Sequence, residues 1–255
     1  MQTSTLSPEE IQRALRGLAA ADVDRKVFGA AGHNYELRRP VPLSEVAAFE
    51  ALHRIRLPTD YRAFLLEVGN GGAGPGYGIL PLGSADSSRL GSEIRMGKIC
   101  EPFPHQESWN LDAEFWAREP DPPDDISQAD EDRQFQEWDE LLDSVYWTPD
   151  VMNGAIPLCE MGCGQTQWLV VNGEPRGTVW TDLRADNAGL EPVINSQGTR
   201  ATFIDWYGEW LERSTVDAQR LVEVRRQGRR ADVINAIVLI LLGVVVAVLI
   251  GLWRH

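Results

Sequence analysis

The chain has 255 residues, and 43% of them are hydrophobic, which predicts a globular protein of one large or two small domains with a buried core. The formal net charge is −14, and residues 1–224 alone carry 37 of the 38 acidic residues and 19 of the 24 basic ones, a net charge near −18. Nucleic-acid binding needs Lys and Arg to displace counterions, so this charge argues against a direct nucleic-acid partner. Two interpretations stay open: plain solubility, or attraction to a basic protein.

The N-terminal segment predicts one helix. Ser7 and Glu10 flank Pro8 with the spacing of a capping box, which places the helix start at Ser7. The apolar face of this helix consists of Ile11, Leu15 and Leu18. The first fifteen residues lack a basic region followed by an apolar core, so they do not have the pattern of a signal peptide. We assign residues 1–39 to this N-terminal helix and a linker.

Two further helices are predicted before residue 70. The first begins after Ser44, with Val46, Phe49 and Leu52 on its apolar face. The second follows Pro58, and its apolar residues have helical spacing. These residues are Tyr61, Phe64, Leu65 and Val68. Gly69 then stands where a left-handed C-terminal cap is expected, and residues 77–82 predict a short strand.

The glycine-rich run from Gly69 to Gly78 contains a G-x-G-x-x-G pattern, which ends at Gly74. A dinucleotide site needs this pattern after a strand and before a helix, whereas the predicted order here is helix, glycines, strand. No Gly-Lys-Ser/Thr follows Gly74, so the run does not match a P-loop either. We interpret it as a connection that needs positive φ angles and close backbone approach, in preference to nucleotide binding.

Residues 119–143 form an acidic insert with eleven acidic residues and one basic residue, Arg133. Its first part, EPDPPDD, predicts a loop, and its second part predicts an amphipathic helix with Phe135 and Trp138 on the apolar face. The acidic run is either a solvated face or a partner-binding surface. The candidate partner-binding residues are Asp130, Glu131, Asp132, Glu137, Asp139 and Glu140.

The C-terminal half predicts strands and one aromatic helix. A strand is expected at residues 154–158, and a hairpin at 168–180 with turn residues at 172–177. The helix has five apolar residues at i, i+3, i+4, i+7 and i+8, and this spacing favours a core element over a ligand site. They are Phe203, Trp206, Tyr207, Trp210 and Leu211.

No catalytic constellation is evident. The histidines, at 33, 53, 105 and 255, lack ligand-type spacing, and no G-x-S-x-G elbow is present. Cys159 and Cys163 form a single C-x₃-C, for which buried structural thiols are favoured over a zinc or redox role. With Cys100 the cysteine count is odd and low, which favours a reducing compartment without a disulfide framework. We predict no cofactor, no metal and no small-molecule substrate.

Residues 233–253 predict a transmembrane helix. They form a run of 21 residues with one polar side chain, Asn235, and about 20 apolar residues span a bilayer. Residues 213–232 form a basic juxtamembrane stalk, as a polar helix or a flexible segment, whose arginines place its side in the cytoplasm. The membrane-flanking residues are Arg225, Arg226, Arg229 and Arg230 before the span and Trp253 at the far interface. The expectation is a tail-anchored, single-pass protein of the cell membrane, with its soluble domain facing the cytoplasm.

Several motifs resemble the SMI1/KNR4 (SUKH) superfamily. The first half of the signature is LPTDY at 57–61, FLL at 64–66, GNGG at 69–72 and GPGYG at 74–78. The second half is similar to the bacterial branch in IPL at 156–158, GCG at 162–164, WLVV at 168–171, GTVW at 177–180 and FIDWY at 203–207. The resemblance covers about residues 40–212, and the sequence departs from the family pattern in the acidic insert at 119–143 and in the C-terminal anchor.

This resemblance implies an α+β fold with a mixed β-sheet packed by helices, to which the transmembrane helix is added. It also implies a binding module without catalytic residues, in which the motif residues have structural roles. The motif residues are Leu57, Pro58, Tyr61, Gly71, Gly72, Gly74, Pro75, Gly76, Tyr77, Gly78, Gly162, Cys163 and Gly164.

Bacterial members of this superfamily are often immunity proteins that bind a toxin domain, whereas fungal members are scaffolds linked to cell-wall synthesis and signalling. The resemblance therefore implies a protein partner. The first hypothesis is a membrane-tethered immunity-type protein that binds a basic toxin domain. The alternative is a membrane-associated scaffold or regulator of cell-envelope synthesis, and an enzyme is the third possibility.

Overall fold

The structure, a computed structural model, describes residues 6–84 and 96–253, without side-chain detail at residues 229, 231–233 and 236–253. The first helix, α1 (Pro8–Ala21), begins at the predicted capping box, in which Ser7 Oγ accepts from Glu10 N at 3.3 Å and Glu10 Oε2 accepts from Ser7 N at 2.8 Å. A short helix, α2 (Ala30–His33), follows. Leu15 and Tyr35 belong to the same buried cluster as Leu65, so residues 6–39 share the core of the rest of the domain.

Helix α3 (Leu43–His53) buries Val46 as predicted, but Leu52 is 76% exposed and does not belong to the core. Helix α4 (Thr59–Ala63) continues into a π-helical turn over Phe64–Val68. The predicted left-handed cap at Gly69 is wrong, because this residue is extended with φ 172°. Glycine is nevertheless required there, since a Cβ would lie 2.6 Å from the backbone oxygen of Arg38.

The described residues form a four-stranded sheet in the order β1-β2-β3-β4. Its strands are β1 (Ala155–Gly162), β2 (Gln165–Val170), β3 (Val179–Asp182) and β4 (Leu190–Pro192), and all three pairings are antiparallel. The expected strand after residue 154 and the expected hairpin are confirmed. The resemblance predicted a mixed sheet, with parallel as well as antiparallel pairs. The four described strands are joined by short connections and therefore all run antiparallel, so this prediction is wrong for them.

Helices and loops cover both faces of the sheet. Trp168 and Val170 point into one buried cluster, whereas Leu169 and Val171 point into the other, which follows from the alternation of side chains along a strand. The larger cluster contains α1 and the aromatic residues near α4. The smaller cluster contains Phe103, Val151, Met152 and Trp180, from loops and β3 on the opposite face.

Two backbone segments cover the edges of the sheet. Residues 77–82 lie along β1, where Tyr77 N donates to Glu160 O at 2.9 Å and Leu80 N donates to Leu158 O at 2.7 Å. Only a single bridge, between Gly72 and Ile79, forms there, so the predicted strand at 77–82 is wrong. At the other edge, Trp109 exchanges two backbone hydrogen bonds with Leu190 of β4. Covered edges remove the unpaired donors that would otherwise recruit another strand.

Three more α-helices follow in the described part of the chain. They are α5 (Ala113–Trp116), α6 (Gln128–Val145) and α7 (Phe203–Trp253). All five apolar residues predicted for the aromatic helix are buried in the first turns of α7. Asp60, within the LPTDY segment, accepts from Ile204 N at 3.1 Å and thereby caps the start of α7.

The region expected as a stalk, 213–232, is part of this continuous helix. Within the part of the chain whose side chains are described, no helix is both long enough and apolar enough to span a bilayer. The predicted span, 233–253, lies outside that part except for Ile234 and Asn235.

Gly72 offers a test of the glycine-rich connection. It has φ +103°, and a Cβ would lie 3.0 Å from Leu37 Cα. We expect Gly72→Ala to lower the free energy of unfolding by about 2 kcal/mol or more, from backbone strain plus this collision. Gly17 has open space around it on α1, so Gly17→Ala should instead stabilise by about 0.5–1 kcal/mol. Chemical denaturation followed by Trp fluorescence measures both, and equal effects would contradict the close approach.

Candidate protein-binding surface

The acidic residues of the insert lie on α6, whose start is fixed by Ser127. Ser127 Oγ accepts from Asp130 N at 3.2 Å and donates to Asp130 Oδ2 at 2.7 Å, and Arg133 contacts the other Asp130 oxygen at 2.7 Å. The Ser127 hydroxyl and the Arg133 guanidinium lower the pKa of Asp130. This carboxylate therefore stays ionised while it accepts from Ser127, the residue that caps the helix, and pairs with Arg133.

Helix α6 separates the predicted binding residues into two groups. Asp130 and Glu131 are half-buried near the helix start. The other four predicted residues are exposed. Three of these exposed acids share a face with Gln136 and Asp143, because residues 132, 136, 139, 140 and 143 have the spacing i, i+4, i+7, i+8 and i+11. We call Asp132, Asp139, Glu140 and Asp143 the α6 acidic face; Glu137 lies at its border.

The opposite side of α6 packs on an aromatic layer. Trp138 is 7% exposed and its ring lies 5.2 Å from that of Phe115 and 6.3 Å from that of Trp116. Trp116 in turn contacts Tyr146 edge-on at 5.1 Å, and Tyr146 stacks on Trp109 at 5.5 Å. This chain of rings connects α6 to the edge of the sheet next to β4.

A buried ion pair connects the end of α6 to the sheet. Arg184 donates to both carboxylate oxygens of Asp182, at 2.9 and 2.7 Å, and to the backbone oxygen of Tyr146 at 2.8 Å. The Tyr146 hydroxyl accepts from Gly189 N at 2.9 Å and donates to Asn110 at 3.1 Å. A bidentate Arg–carboxylate pair has a fixed geometry, so the acidic face is held rigidly on the sheet.

Sequence reasoning missed Asp182, Arg184 and Tyr146. An isolated Asp-x-Arg after a strand is usually a surface pair, and its burial depends on Tyr146, which is 38 residues away from Arg184. The available signal was weak: two charges, at positions 182 and 184, lie within four residues of the apolar strand residue Trp180.

The two glycine motifs meet in space. The Gly76–Tyr77 backbone lies against the end of β1, and a Cβ on Gly162 would lie 3.2 Å from the Tyr77 hydroxyl. The turn Gly162–Gly164 joins β1 to β2, with Cys163 in the left-handed conformation at φ 52°. Most of the predicted motif residues are buried. These are Leu57, Pro58, Tyr61, Gly71, Gly74, Pro75, Gly76 and Gly78.

Residues 40–198, more than half of the chain, match the SMI1/KNR4 family (SUKH-1). The chain belongs to this family. A search of curated proteins finds no significant match, and a search of solved structures finds none either.

In this SMI1/KNR4 domain the glycine-rich segment is a backbone connection. The expected positive φ angles are found at Gly71, Gly72, Gly76 and Gly78. Gly74 has no positive φ, but a Cβ there would lie 2.5 Å from the Ile79 side chain. Among the described residues the order is helix, glycines and single bridges, which does not match a dinucleotide-binding strand–turn–helix.

The cysteines of the domain differ in exposure. Cys159 is a buried thiol, as predicted, and burial raises its pKa. Cys163 and Cys100 are exposed, so the expectation of a buried thiol at 163 is wrong. The reason is local: Cys163 lies between two glycines in the hairpin turn from β1 to β2, where its side chain is open to solvent. Within the described ranges, no cluster of three His, Cys, Asp or Glu residues has the arrangement of a metal site.

The ion pair that holds α6 can be tested directly. Arg184→Met leaves the 6% exposed Asp182 without its cation, and breaking a buried pair in this way costs about 3–5 kcal/mol of stability. The double variant Asp182→Asn/Arg184→Met should recover part of this loss, because no buried charge remains. Arg220→Met removes an exposed pair with Asp217 and should change the free energy of unfolding by less than about 0.5 kcal/mol. Similar losses for Arg184→Met and Arg220→Met would contradict the anchoring role.

A second test concerns His33, which is buried between Tyr35 and Trp210. Its Nδ1 accepts from Tyr35 N at 3.0 Å, and burial, followed by repulsion from Arg25, lowers its pKa to about 4. The neutral form is therefore favoured in the folded state, whereas the unfolded state takes up a proton below about pH 6.5. Stability should be highest above that pH and fall as the pH drops toward 4.

We expect a loss of about 1–2 kcal/mol between pH 7 and 4.5 from His33. His105 contributes in the same direction, because burial lowers its pKa as well. His33→Asn keeps an acceptor for Tyr35 N but does not titrate, so its stability should depend less steeply on pH. Calorimetric unfolding at several pH values measures the slope, and an unchanged slope would show that His33 does not titrate in this way.

Proposed function

We propose that this SMI1/KNR4 protein is a membrane-tethered, non-catalytic binding module of the immunity type, which neutralises a basic toxin domain. Family membership supports the binding role, because SUKH domains are generally non-catalytic immunity-type modules. The apolar run at 233–253 and the arginines before it support the tether and a cytoplasmic domain. The expected partner is a protein, and neither nucleic acid nor a small-molecule substrate is invoked.

The observation that carries the proposal is the α6 acidic face. Glu137 and Glu140 are both exposed on α6 at the spacing i, i+3, where side chains are neighbours on the helix surface, so their like charges repel. The last turn contains no basic residue, although the negative end of the helix dipole favours cations there. This arrangement opposes helix stability in the free protein, and a cationic partner would relieve it.

The anchoring of α6 suits such a role. Trp138 and the Arg184–Tyr146 contact hold the helix from its buried side, so binding would not require the helix to become ordered first. A rigid surface of one charge sign also raises the rate at which an oppositely charged partner associates. In the proposed mechanism the acidic face attracts the basic toxin domain and covers its active site, without any covalent chemistry.

The proposal is tested by affinity capture of the tagged full-length protein from its own cells in mild detergent, at low and moderate salt. The test variant reverses three exposed acids of the α6 face: Asp132→Lys, Asp139→Lys and Glu140→Lys. The control variant reverses three exposed acids on other elements: Glu45→Lys, Glu101→Lys and Glu212→Lys.

We expect one basic polypeptide, in roughly equimolar amount, with the wild type and the control but not with the test variant. Salt should release it, and its association rate should fall at least about tenfold for the test variant. Expressed alone it should arrest growth, and co-expression of the wild type should restore growth. Capture of several envelope proteins, equally by wild type and test variant, would contradict this function and support the scaffold of cell-envelope synthesis.

A further inference from the structure

Helix α1 runs parallel to α7, and the two are nearly in register. Near their starts, Leu6 lies next to Gly208, where an added Cβ would meet the leucine side chain at 3.1 Å. Near the end of α1, Asp24 forms an ion pair with Arg225 at 3.0 Å. The two sequence separations agree closely: 18 residues from Leu6 to Asp24, a segment that contains α1, and 17 residues from Gly208 to Arg225 on α7. The connection that follows α1, residues 22–29, therefore lies at the end of the domain from which α7 continues toward residue 233.

The backbone of this connection is rigid. The buried carboxylate of Asp22 accepts from Lys26 N at 2.8 Å, from Val27 N at 2.9 Å and from the Tyr35 hydroxyl at 2.8 Å. Arg25 donates to the backbone oxygens of Asp22 and Ala19. Carboxylate caps of this kind fix a turn, so the side chains that point outward have a defined direction.

Apart from Asp24, which pairs with Arg225, the exposed side chains of the connection are apolar or basic. Val23 and Phe28 are each 57% exposed, and Tyr77, whose ring lies 5.5 Å from that of Phe28, is 53% exposed. Lys26, which lies between Val23 and Phe28 in the sequence, is exposed as well. We call Val23, Lys26, Phe28 and Tyr77 the loop patch. Aromatic, aliphatic and Lys side chains together are the composition that binds the interface of an anionic bilayer.

The distances place this patch near the expected membrane. Eight residues separate Arg225 from residue 233, a rise of about 12 Å along a helix. The headgroup layer is roughly 5–8 Å deep on each side of the hydrocarbon core. A gap of a few ångströms therefore remains between the level of Arg225 and the outer surface of the headgroups. A Lys side chain or a modest helix tilt can bridge it. Arg226 and Arg230, both exposed on α7, lie in the same interval.

We propose that the loop patch is a second membrane contact, which rests on the surface of an anionic bilayer beside α7. This inference depends on the membrane tether of the proposed function and adds to it a fixed orientation of the domain. Tethering by one helix would leave the domain free to swing, whereas two contacts, joined by the Asp24–Arg225 pair, restrict it. Basic residues near an anionic surface supply the attraction, and Val23 and Phe28 supply apolar area at the interface.

The test uses the full-length chain with Cys100→Ser and Cys163→Ser, which removes the exposed thiols. A bimane fluorophore is attached at Val23→Cys, and in the matched control at Leu52→Cys, an exposed position on α3. Each protein is reconstituted into two kinds of phosphatidylcholine vesicle, both with headgroup nitroxide lipid as the quencher. The anionic vesicles contain about 30% phosphatidylglycerol, and the neutral vesicles contain none.

We expect at least about twofold stronger quenching at position 23 than at position 52 in anionic vesicles, and a loss of that difference in neutral vesicles or with Lys26→Glu. Protein that resists carbonate extraction but shows equal quenching at both positions would overturn the second contact and leave the tether intact. Protein that carbonate removes would overturn the tether itself. Quenching at position 23 that is as strong in neutral vesicles as in anionic ones would overturn the assignment of the patch to anionic lipid. Concentration-dependent shielding of position 23 in detergent would assign the patch to a second copy of the chain instead.

Discussion

The packing of α7 against α4 is the contact on which the rest of this structure depends. Tyr61 and Phe64 meet Phe203 edge-on at 4.9 and 5.1 Å, and Phe64 meets Tyr207 at 5.1 Å. Asp60 caps the first turn of α7 from the same segment. Aromatic pairs add about 0.5–1.5 kcal/mol each beyond the area that they bury. This contact fixes the direction of the longest helix, and α1 then follows that direction.

The direction of α7 separates two surfaces of opposite character. Helix α7 packs on one face of the sheet, whereas Tyr146 and Trp109 connect α6 to the other face. The acidic face on α6 and the basic, apolar end beside Arg225 therefore lie on different layers of the domain. Separation of this kind would allow a membrane contact and a protein partner to be engaged together, because neither surface has to rearrange for the other.

The charged residues of the core are few, and each has partners. Asp182 is paired with Arg184, Asp22 accepts three hydrogen bonds, and Glu50 accepts from Leu57 N and pairs with Arg62. Burial of an isolated charge is costly, so these groups are structural and hold loops and helices in place. Most other acids are at the surface, where they repel one another and attract cations over a long range.

Interactions between residues close together in the chain specify the local elements. Capping at Ser7, the periodicity of the aromatic helix from Phe203 and the hairpin at 168–180 all follow from interactions between near neighbours, and the structure confirms them. Predictions from neighbouring residues were wrong at Gly69 and at residues 77–82, where contacts with a distant segment set the backbone conformation. The backbone oxygen of Arg38 comes so close to Gly69 that a Cβ there would collide with it, and β1 pairs with residues 77–80 without a full ladder. The packing of distant segments sets which acids of α6 face solvent, buries Arg184 and brings the end of α1 beside Arg225. Each of these depends on contacts between residues far apart in the chain, and no local pattern contains that information.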